Sequence, residues 1–207
     1  LAGLDLEQLR QLVGLVEYDS DHDPFPVSGW DGLEWIVGNA TQTSHFFQSA
    51  FGMELVAYSG PSTGNRDHHA FVLKSGAVRF VVKGAVDPAS PLIEHHSRHG
   101  DGIRDIALSV PDVDKCIAHA ITQGATVLSE PHDVTDEHGT VRLASIATYG
   151  ETRHTLVDRS RYTGPYLPGY VERTSSYRKR DGAPKRIFQA LDHVVGNVEL
   201  GKMDQWV

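Results

Sequence analysis

One histidine of the chain stands out because the residues around it repeat an earlier segment. Residues 191–197 read LDHVVGN and residues 33–39 read LEWIVGN, and the one chemical change between them is from Trp35 to His193. An imidazole is a common metal ligand, whereas an indole offers only an N–H donor. His193 is therefore a candidate metal ligand. The alternative is a half-buried strand histidine that hydrogen-bonds to Asp192 or to backbone.

A weaker third copy of the segment lies between the other two. Residues 103–110 read IRDIALSV, and Asp105 takes the place of Trp35 and His193. Repetition of this kind indicates that one structural unit recurs along the chain. The repeated position is therefore the first place to look for metal ligands.

A second pair of histidines, His95 and His99, lies in residues 91–99, which the sequence predicts as a short helix. A spacing of four residues puts both side chains on one face of a helix, as in helical metal sites. The segment is polar all round, however, and the sequence marks no third ligand. A metal pair stays open, and a solvated helix is the interpretation that the polar surroundings favour.

Composition restricts the classes of protein to which the chain could belong. Its 207 residues are 40% hydrophobic and 22% charged, as in ordinary globular proteins, and its formal net charge is −8. That charge argues against nucleic acid or an anionic membrane surface as a partner. The single Cys116 excludes an intrachain disulfide and suits the cytoplasm. The start is acidic and lacks Met, so we expect no secretory signal and a missing N-terminus.

Two similar modules must position the repeated residues. Residues 1–22 are predicted to form a short amphipathic helix and an acidic loop. Asn39 then predicts the start of a helix over 40–51 that Gly52 ends, and Asp112 predicts the start of another that Gly124 ends. Strands are predicted on either side of these helices, over residues 33–37, 53–58, 69–74 and 77–83 in the first module and 103–110, 125–130, 140–148 and 152–159 in the second.

The order in each module is strand, helix and three strands, so we predict an α+β fold of paired βαβββ modules. The domain boundaries follow from composition: a domain over 23–160, a Pro/Gly/Tyr-rich and then basic linker over 161–187, and the start of a truncated third module over 188–207. At the repeated position and its last-strand counterpart, the domain over 23–160 offers Trp35, Asp105 and Thr155. One carboxylate cannot hold a metal ion, so we predict that this domain binds none.

Paired modules of this order resemble the vicinal-oxygen-chelate architecture, that of the glyoxalases, bleomycin-resistance proteins and extradiol dioxygenases. Within it, the chain resembles the bacterial 4-hydroxyphenylpyruvate dioxygenase family. The resemblance is carried by segments that occur in the family's order, namely residues 23–27, 50–53, 99–102, 136–140, 147–150, 154–159, 164–170 and 188–198.

The resemblance implies oxidation of 4-hydroxyphenylpyruvate by O2 to homogentisate and CO2, a step of tyrosine and phenylalanine catabolism. It implies Fe(II) as cofactor, with His193 as the first of two histidine ligands and Val195 near the substrate. The second histidine and a glutamate would belong to a further module, so we expect the 207 residues alone to be inactive. The resemblance also implies a homo-oligomer.

Other functions stay open. 4-Hydroxymandelate synthase resembles the chain over the same region and uses the same substrate. An extradiol ring-cleaving dioxygenase has the same module layout but not the same ordered segments. A metal-free module that binds a small molecule, as in drug-binding resistance proteins, could be built from residues 23–160 alone.

Overall fold

The computed structural model describes residues 22–175 and 188–206. The helix and loop predicted over residues 1–22 lie outside this described part, except for residue 22. No described helix combines the length and the apolar character that are needed to cross a lipid bilayer.

Two βαβββ modules follow one another, as predicted. The first contains β1 (Gly29–Ile36), α1 (Ala40–Phe51), β2 (Glu54–Ser59), β3 (His68–Ser75) and β4 (Val78–Ala85), and α2 (Pro91–His99) connects it to the second. The second contains β5 (Gly102–Ser109), α3 (Val113–Thr122), β6 (Val127–Asp136), β7 (Gly139–Ala147) and β8 (Arg153–Tyr162). Two short elements complete the described chain, β9 (Val171–Glu172) and α4 (Met203–Trp206).

The nine strands of the described residues form one mixed sheet with the order β6-β7-β8-β5-β1-β4-β3-β2-β9. Within each module the first and last strands are parallel neighbours, β1 with β4 and β5 with β8. The modules join through the antiparallel pair of β1 and β5, where Glu34 lies opposite Asp105. The first strand of each module therefore lies at the centre of the sheet.

The core of the first module lies between the sheet and α1. Asn39 begins the helix because its Oδ1 accepts a hydrogen bond from the Gln42 backbone N–H (3.0 Å), and Gly52 ends it with a left-handed φ of 64°. Trp35 packs with Phe47 of the helix and Phe80 of β4, at ring-centroid distances of 5.6 and 5.3 Å. Burial of these large rings holds the helix on the sheet.

The second module is built in the same way around α3. Asp112 Oδ1 accepts a hydrogen bond from the Lys115 backbone N–H (2.9 Å) at the start of the helix. Cys116 and Ile117 are buried against the sheet, together with Leu156 of β8. Burial raises the pKa of the Cys116 thiol to about 11, so this cysteine is an apolar core residue.

The two edges of the sheet differ. At one end, β9 pairs with β2 through Glu172 opposite Ala57 and Val171 opposite Tyr58. At the other end, β6 has no second neighbour among the described strands, and its pairing with β7 is irregular between Ser129 and His132. The prediction that β6 ends at Glu130 is wrong, because its polar, alternating continuation pairs as far as Asp136.

The strand predicted at the start of a third module is absent from residues 188–199, which have no regular secondary structure. Phe188 instead stacks on Phe51 at 5.5 Å, and its carbonyl oxygen accepts a hydrogen bond from the Ser75 hydroxyl (2.9 Å). The next residue, Gln189, accepts a bond from the Ala77 backbone N–H (2.8 Å). A strand needs a neighbour to satisfy its backbone groups, and here the segment satisfies some of them on the β3–β4 turn.

Candidate functional site

The repeat equates Trp35 with Asp105, but the structure places the two side chains in different surroundings. Trp35 lies in the core under α1, where its Nε1 is buried and has no hydrogen-bond partner among the described residues. Asp105 belongs to a polar cluster at the centre of the sheet, where its cross-strand neighbour is Glu34. The equivalence predicted from the repeat is therefore wrong in three dimensions, because Leu108, three residues after Asp105, packs into the core under α3 as Trp35 does under α1.

Asp105 of β5 and Thr155 of the parallel neighbour β8 lie in contact. The Asp105 carboxylate accepts hydrogen bonds from the Thr155 backbone N–H (3.0 Å) and hydroxyl (2.5 Å) and from Arg153 Nε (2.8 Å). Burial and the neighbouring charge of Glu34 raise the pKa of Asp105 in spite of these bonds. Both carboxylate oxygens are engaged by protein groups.

Glu34 is the acidic centre of the same cluster. Lys83 Nζ lies 2.6 Å from its Oε2, and Arg104 Nη2 donates to its Oε1 at 2.6 Å. Arg153 approaches the same oxygen at 3.5 Å and so links Glu34 to Asp105. Burial alone would raise the pKa of Glu34, but Lys83, Arg104 and Arg153 hold it well below its usual range.

A second buried cluster is centred on Asp31 of β1, whose side chain is 2% exposed. Its carboxylate accepts from Arg159 Nε (2.6 Å) and Nη2 (2.8 Å), and from Arg79 Nη1 (2.9 Å). Both guanidinium groups also lie over the ring of Tyr166, at 5.5 Å for Arg79 and 4.8 Å for Arg159. The segment after β8 is fastened to the sheet by these contacts.

In these two clusters, buried carboxylates are paired with arginine and lysine side chains at the middle of the sheet. Each buried carboxylate already accepts hydrogen bonds from arginine or lysine, and a buried ion pair is costly to break. The arrangement suits a structural role. The sequence contains a signal that could have shown it, because β4 and β5 are mostly apolar but carry charged residues, namely Arg79, Lys83, Arg104 and Asp105.

The predicted ligand His193 lies on the surface, with a side chain that is 72% exposed. Its Nδ1 lies 2.7 Å from Asp192 Oδ2, which leaves Nε2 available for a ligand. Val195 is also exposed, at 73%. Gly196 lies against the ring of Tyr149, where any side chain would collide with it. Within residues 22–175 and 188–206, no second histidine and carboxylate gather around His193.

The other histidine pair has a third partner that no pattern in the sequence indicates. His95 and His99 lie on α2 as predicted, and Glu151 of the β7–β8 turn reaches both of them. Glu151 is 52 residues from His99 in sequence, and no local pattern connects the two. Burial and the charge of Arg104 lower the pKa of His95, which favours the neutral imidazole.

Comparison with known proteins agrees with this fold. The family model for the glyoxalase/bleomycin resistance protein/dioxygenase superfamily matches residues 31–152. The chain belongs to this superfamily, and the predicted α+β fold of paired βαβββ modules is confirmed.

The curated relatives are more specific. The chain is 38% identical over 182 residues to a 4-hydroxyphenylpyruvate dioxygenase of Yarrowia lipolytica and 38% identical over 173 residues to one of Dictyostelium discoideum. The alignments cover 85% and 83% of the chain and 46% and 47% of the relatives. The predicted resemblance to this family is confirmed, and the chain spans about half the length of the curated relatives it matches.

Solved structures show the same fold. A variant of 4-hydroxymandelate synthase from Streptomyces coelicolor superposes with a TM-score of 0.72 at 28% identity, over 88% of the chain and 51% of that structure. Methylmalonyl-CoA epimerase from Mycobacterium tuberculosis superposes with a TM-score of 0.53 at 20% identity, over 63% of the chain and 87% of that structure. The second likeness concerns the fold alone.

Proposed function

We propose that the chain forms part of a 4-hydroxyphenylpyruvate dioxygenase, an Fe(II)-dependent enzyme that converts 4-hydroxyphenylpyruvate and O2 into homogentisate and CO2. The observation that carries this proposal is the 38% identity to the Yarrowia lipolytica enzyme over 85% of the chain. A place in tyrosine catabolism, a cytoplasmic location and a homo-oligomeric state belong to the same proposal.

Within this function, residues 23–160 would act as a scaffold domain whose buried carboxylates hold no catalytic metal ion. The buried ion pairs support this role, because Asp31, Glu34 and Asp105 already bind basic side chains. Releasing one of these carboxylates to a metal ion would leave a buried arginine or lysine without its partner, at a cost of several kcal/mol.

His193 would be an iron ligand, and Val195 would lie beside the substrate. The hydrogen-bond geometry supports the first assignment, since a metal-binding histidine usually gives its other ring nitrogen to a carboxylate or a carbonyl. Asp192 occupies that place beside Nδ1 of His193, and Nε2 is left for the ion.

The described residues do not complete an iron site. A mononuclear Fe(II) oxygenase uses two histidines and one carboxylate with open positions for substrate and O2. Around His193 the described residues supply one imidazole. A polypeptide limited to these 207 residues is therefore expected to lack dioxygenase activity, and its contribution to the reaction would be one ligand and the scaffold.

The direct test is oxygen uptake by the purified protein, in the full length that its gene encodes, with Fe(II) and 4-hydroxyphenylpyruvate. We expect uptake and homogentisate. His193→Ala should abolish uptake, while the matched control His138→Ala changes an exposed histidine on the β6–β7 turn and should leave it intact. Absence of uptake by the wild-type protein after reconstitution with Fe(II) would refute the proposal.

A second candidate is 4-hydroxymandelate synthase, and the 0.72 TM-score with the Streptomyces coelicolor enzyme favours it. Product analysis in the same assay separates the two functions. Formation of 4-hydroxymandelate in place of homogentisate would establish the synthase.

A further inference from the structure

We propose that His95, His99 and Glu151 form a binding site for a divalent transition-metal ion on the surface of the scaffold domain. The three residues come from two separate parts of the fold, α2 and the β7–β8 turn. The site does not involve His193 and does not depend on the proposed dioxygenase function.

The geometry of the three side chains is already close to that of a metal site. Glu151 Oε2 lies 3.0 Å from His99 Nε2 and 3.4 Å from His95 Nδ1. All three ligand atoms lie within 4.8 Å of one another, and the two imidazole centroids are 4.7 Å apart. Ligands at about 2.0–2.1 Å from a tetrahedral zinc ion are about 3.3 Å apart, so only small side-chain rotations are needed.

The donor set indicates which ions would bind. Two imidazole nitrogens and one carboxylate oxygen suit Zn²⁺, Co²⁺ or Ni²⁺, whereas Mg²⁺ and Ca²⁺ prefer oxygen ligands alone. Three protein ligands leave a fourth position for water. The side chains of His99 and Glu151 are each 44% exposed, so an ion has access from solvent.

Arg98 is the main competitor for Glu151, and it also orients the carboxylate. Arg98 Nη1 donates to Glu151 Oε1 at 2.6 Å, and its Nη2 contacts Glu94. Because Arg98 takes Oε1, the other oxygen stays directed at the two histidines. Its bond to Glu94 also offsets part of the positive charge beside the site. An arginine in this position resembles the outer partners that hold metal-binding carboxylates in place.

A bound ion would hold α2, the helix that connects the two modules, against the second module. It would join α2 to the turn between β7 and β8, two segments 52 residues apart in sequence. The expected role is therefore a structural cross-link, since no described residue beside it completes a catalytic set.

The test is titration of the tag-free 207-residue protein with Co²⁺, followed by visible absorption. Wild type is expected to bind one equivalent of Co²⁺ and to release it to Zn²⁺. His99→Ala and Glu151→Gln should each weaken binding at least about 100-fold, the upper end of the loss seen for outer-shell partners. His96→Gln is the matched control, because His96 lies on the same helix but contacts Asp101 (2.8 Å).

His193→Ala separates this site from the proposed iron site, and it should leave the Co²⁺ band unchanged. The proposal is overturned if wild type gives no band, if the band survives His99→Ala, or if His96→Gln removes it equally. A band that only His193→Ala removes would also overturn it, because the ion would then lie at His193. In each of these cases the three residues form an ion-pair cluster only.

Discussion

The buried carboxylate of Asp31 allows the sharpest test of how the sheet is held together. Asp31 receives three charge-assisted hydrogen bonds from Arg159 and Arg79, at 2.6, 2.8 and 2.9 Å, and its side chain is 2% exposed. Replacing it with Ala removes one negative charge and leaves two guanidinium groups partly buried without a carboxylate.

The expected cost follows from the number of bonds and from desolvation. Hydrogen bonds to charged groups contribute about 1.5–3 kcal/mol each, which gives about 5–9 kcal/mol for three. Contributions of bonds that share one carboxylate are not additive, so this sum is an upper bound. The expected loss in the free energy of unfolding for Asp31→Ala is therefore about 3–5 kcal/mol, the usual cost of removing one partner from a buried pair.

Urea unfolding followed by circular dichroism measures this loss. With a slope of about 2 kcal/mol per molar urea, a loss of 3–5 kcal/mol lowers the unfolding midpoint by about 1.5–2.5 M. The matched control is Asp114→Ala, which removes an aspartate that is 58% exposed and pairs with Arg142. An exposed pair contributes about 0–1 kcal/mol.

Equal losses for Asp31→Ala and Asp114→Ala would refute the reasoning. A loss below about 1 kcal/mol for Asp31→Ala would also refute it, because the guanidinium groups would then be well solvated without their partner.

Two further predictions concern groups with shifted pKa values. The pKa of Glu34 is lowered in the folded state. The ionised carboxylate therefore stabilises the folded protein fully above about pH 4.3, the pKa of an unfolded glutamate, and this contribution is lost as the pH falls through the lower pKa of the folded state. The stability difference between wild type and Glu34→Gln should therefore shrink below about pH 4, and a constant difference between pH 7 and pH 3 would contradict this. Cys116 is buried and its pKa is raised to about 11. It should therefore react with a thiol reagent at pH 8 only after the protein unfolds. Fast labelling of the native protein would contradict this and show that α3 opens readily.

The helices and the module order were predictable because their signals are local. Asn39 and Gly52 bound α1 as predicted, and Asp112 begins α3, since a cap depends on residues three or four positions away. The start of β1 at Gly29 was not predictable in the same way. Its first residues include two glycines and Asp31, which disfavour a strand and are held in one by pairing with β5.

The polar contacts between modules depend on register, which sequence does not specify. The repeat places Trp35 and Asp105 at one position, yet Trp35 packs under α1 whereas Asp105 lies opposite Glu34 in the pairing of β1 with β5. Glu151 was missed for a similar reason, because its nearness to His95 and His99 results from packing of a distant turn. The roles of His193 and Val195 stay predictions.

The short strand β9 affects how copies of the chain meet. An unpaired sheet edge offers its backbone groups to another molecule and so favours aggregation. Val171 and Glu172 occupy that position beside Tyr58 and Ala57, so a neighbouring copy cannot pair with β2 at these two residues. On the opposite edge, β6 is interrupted by Pro131 at its irregular pairing and is rich in acidic residues, both of which discourage strand addition. Both edges of the sheet thus carry features that discourage edge-to-edge association between copies of the chain.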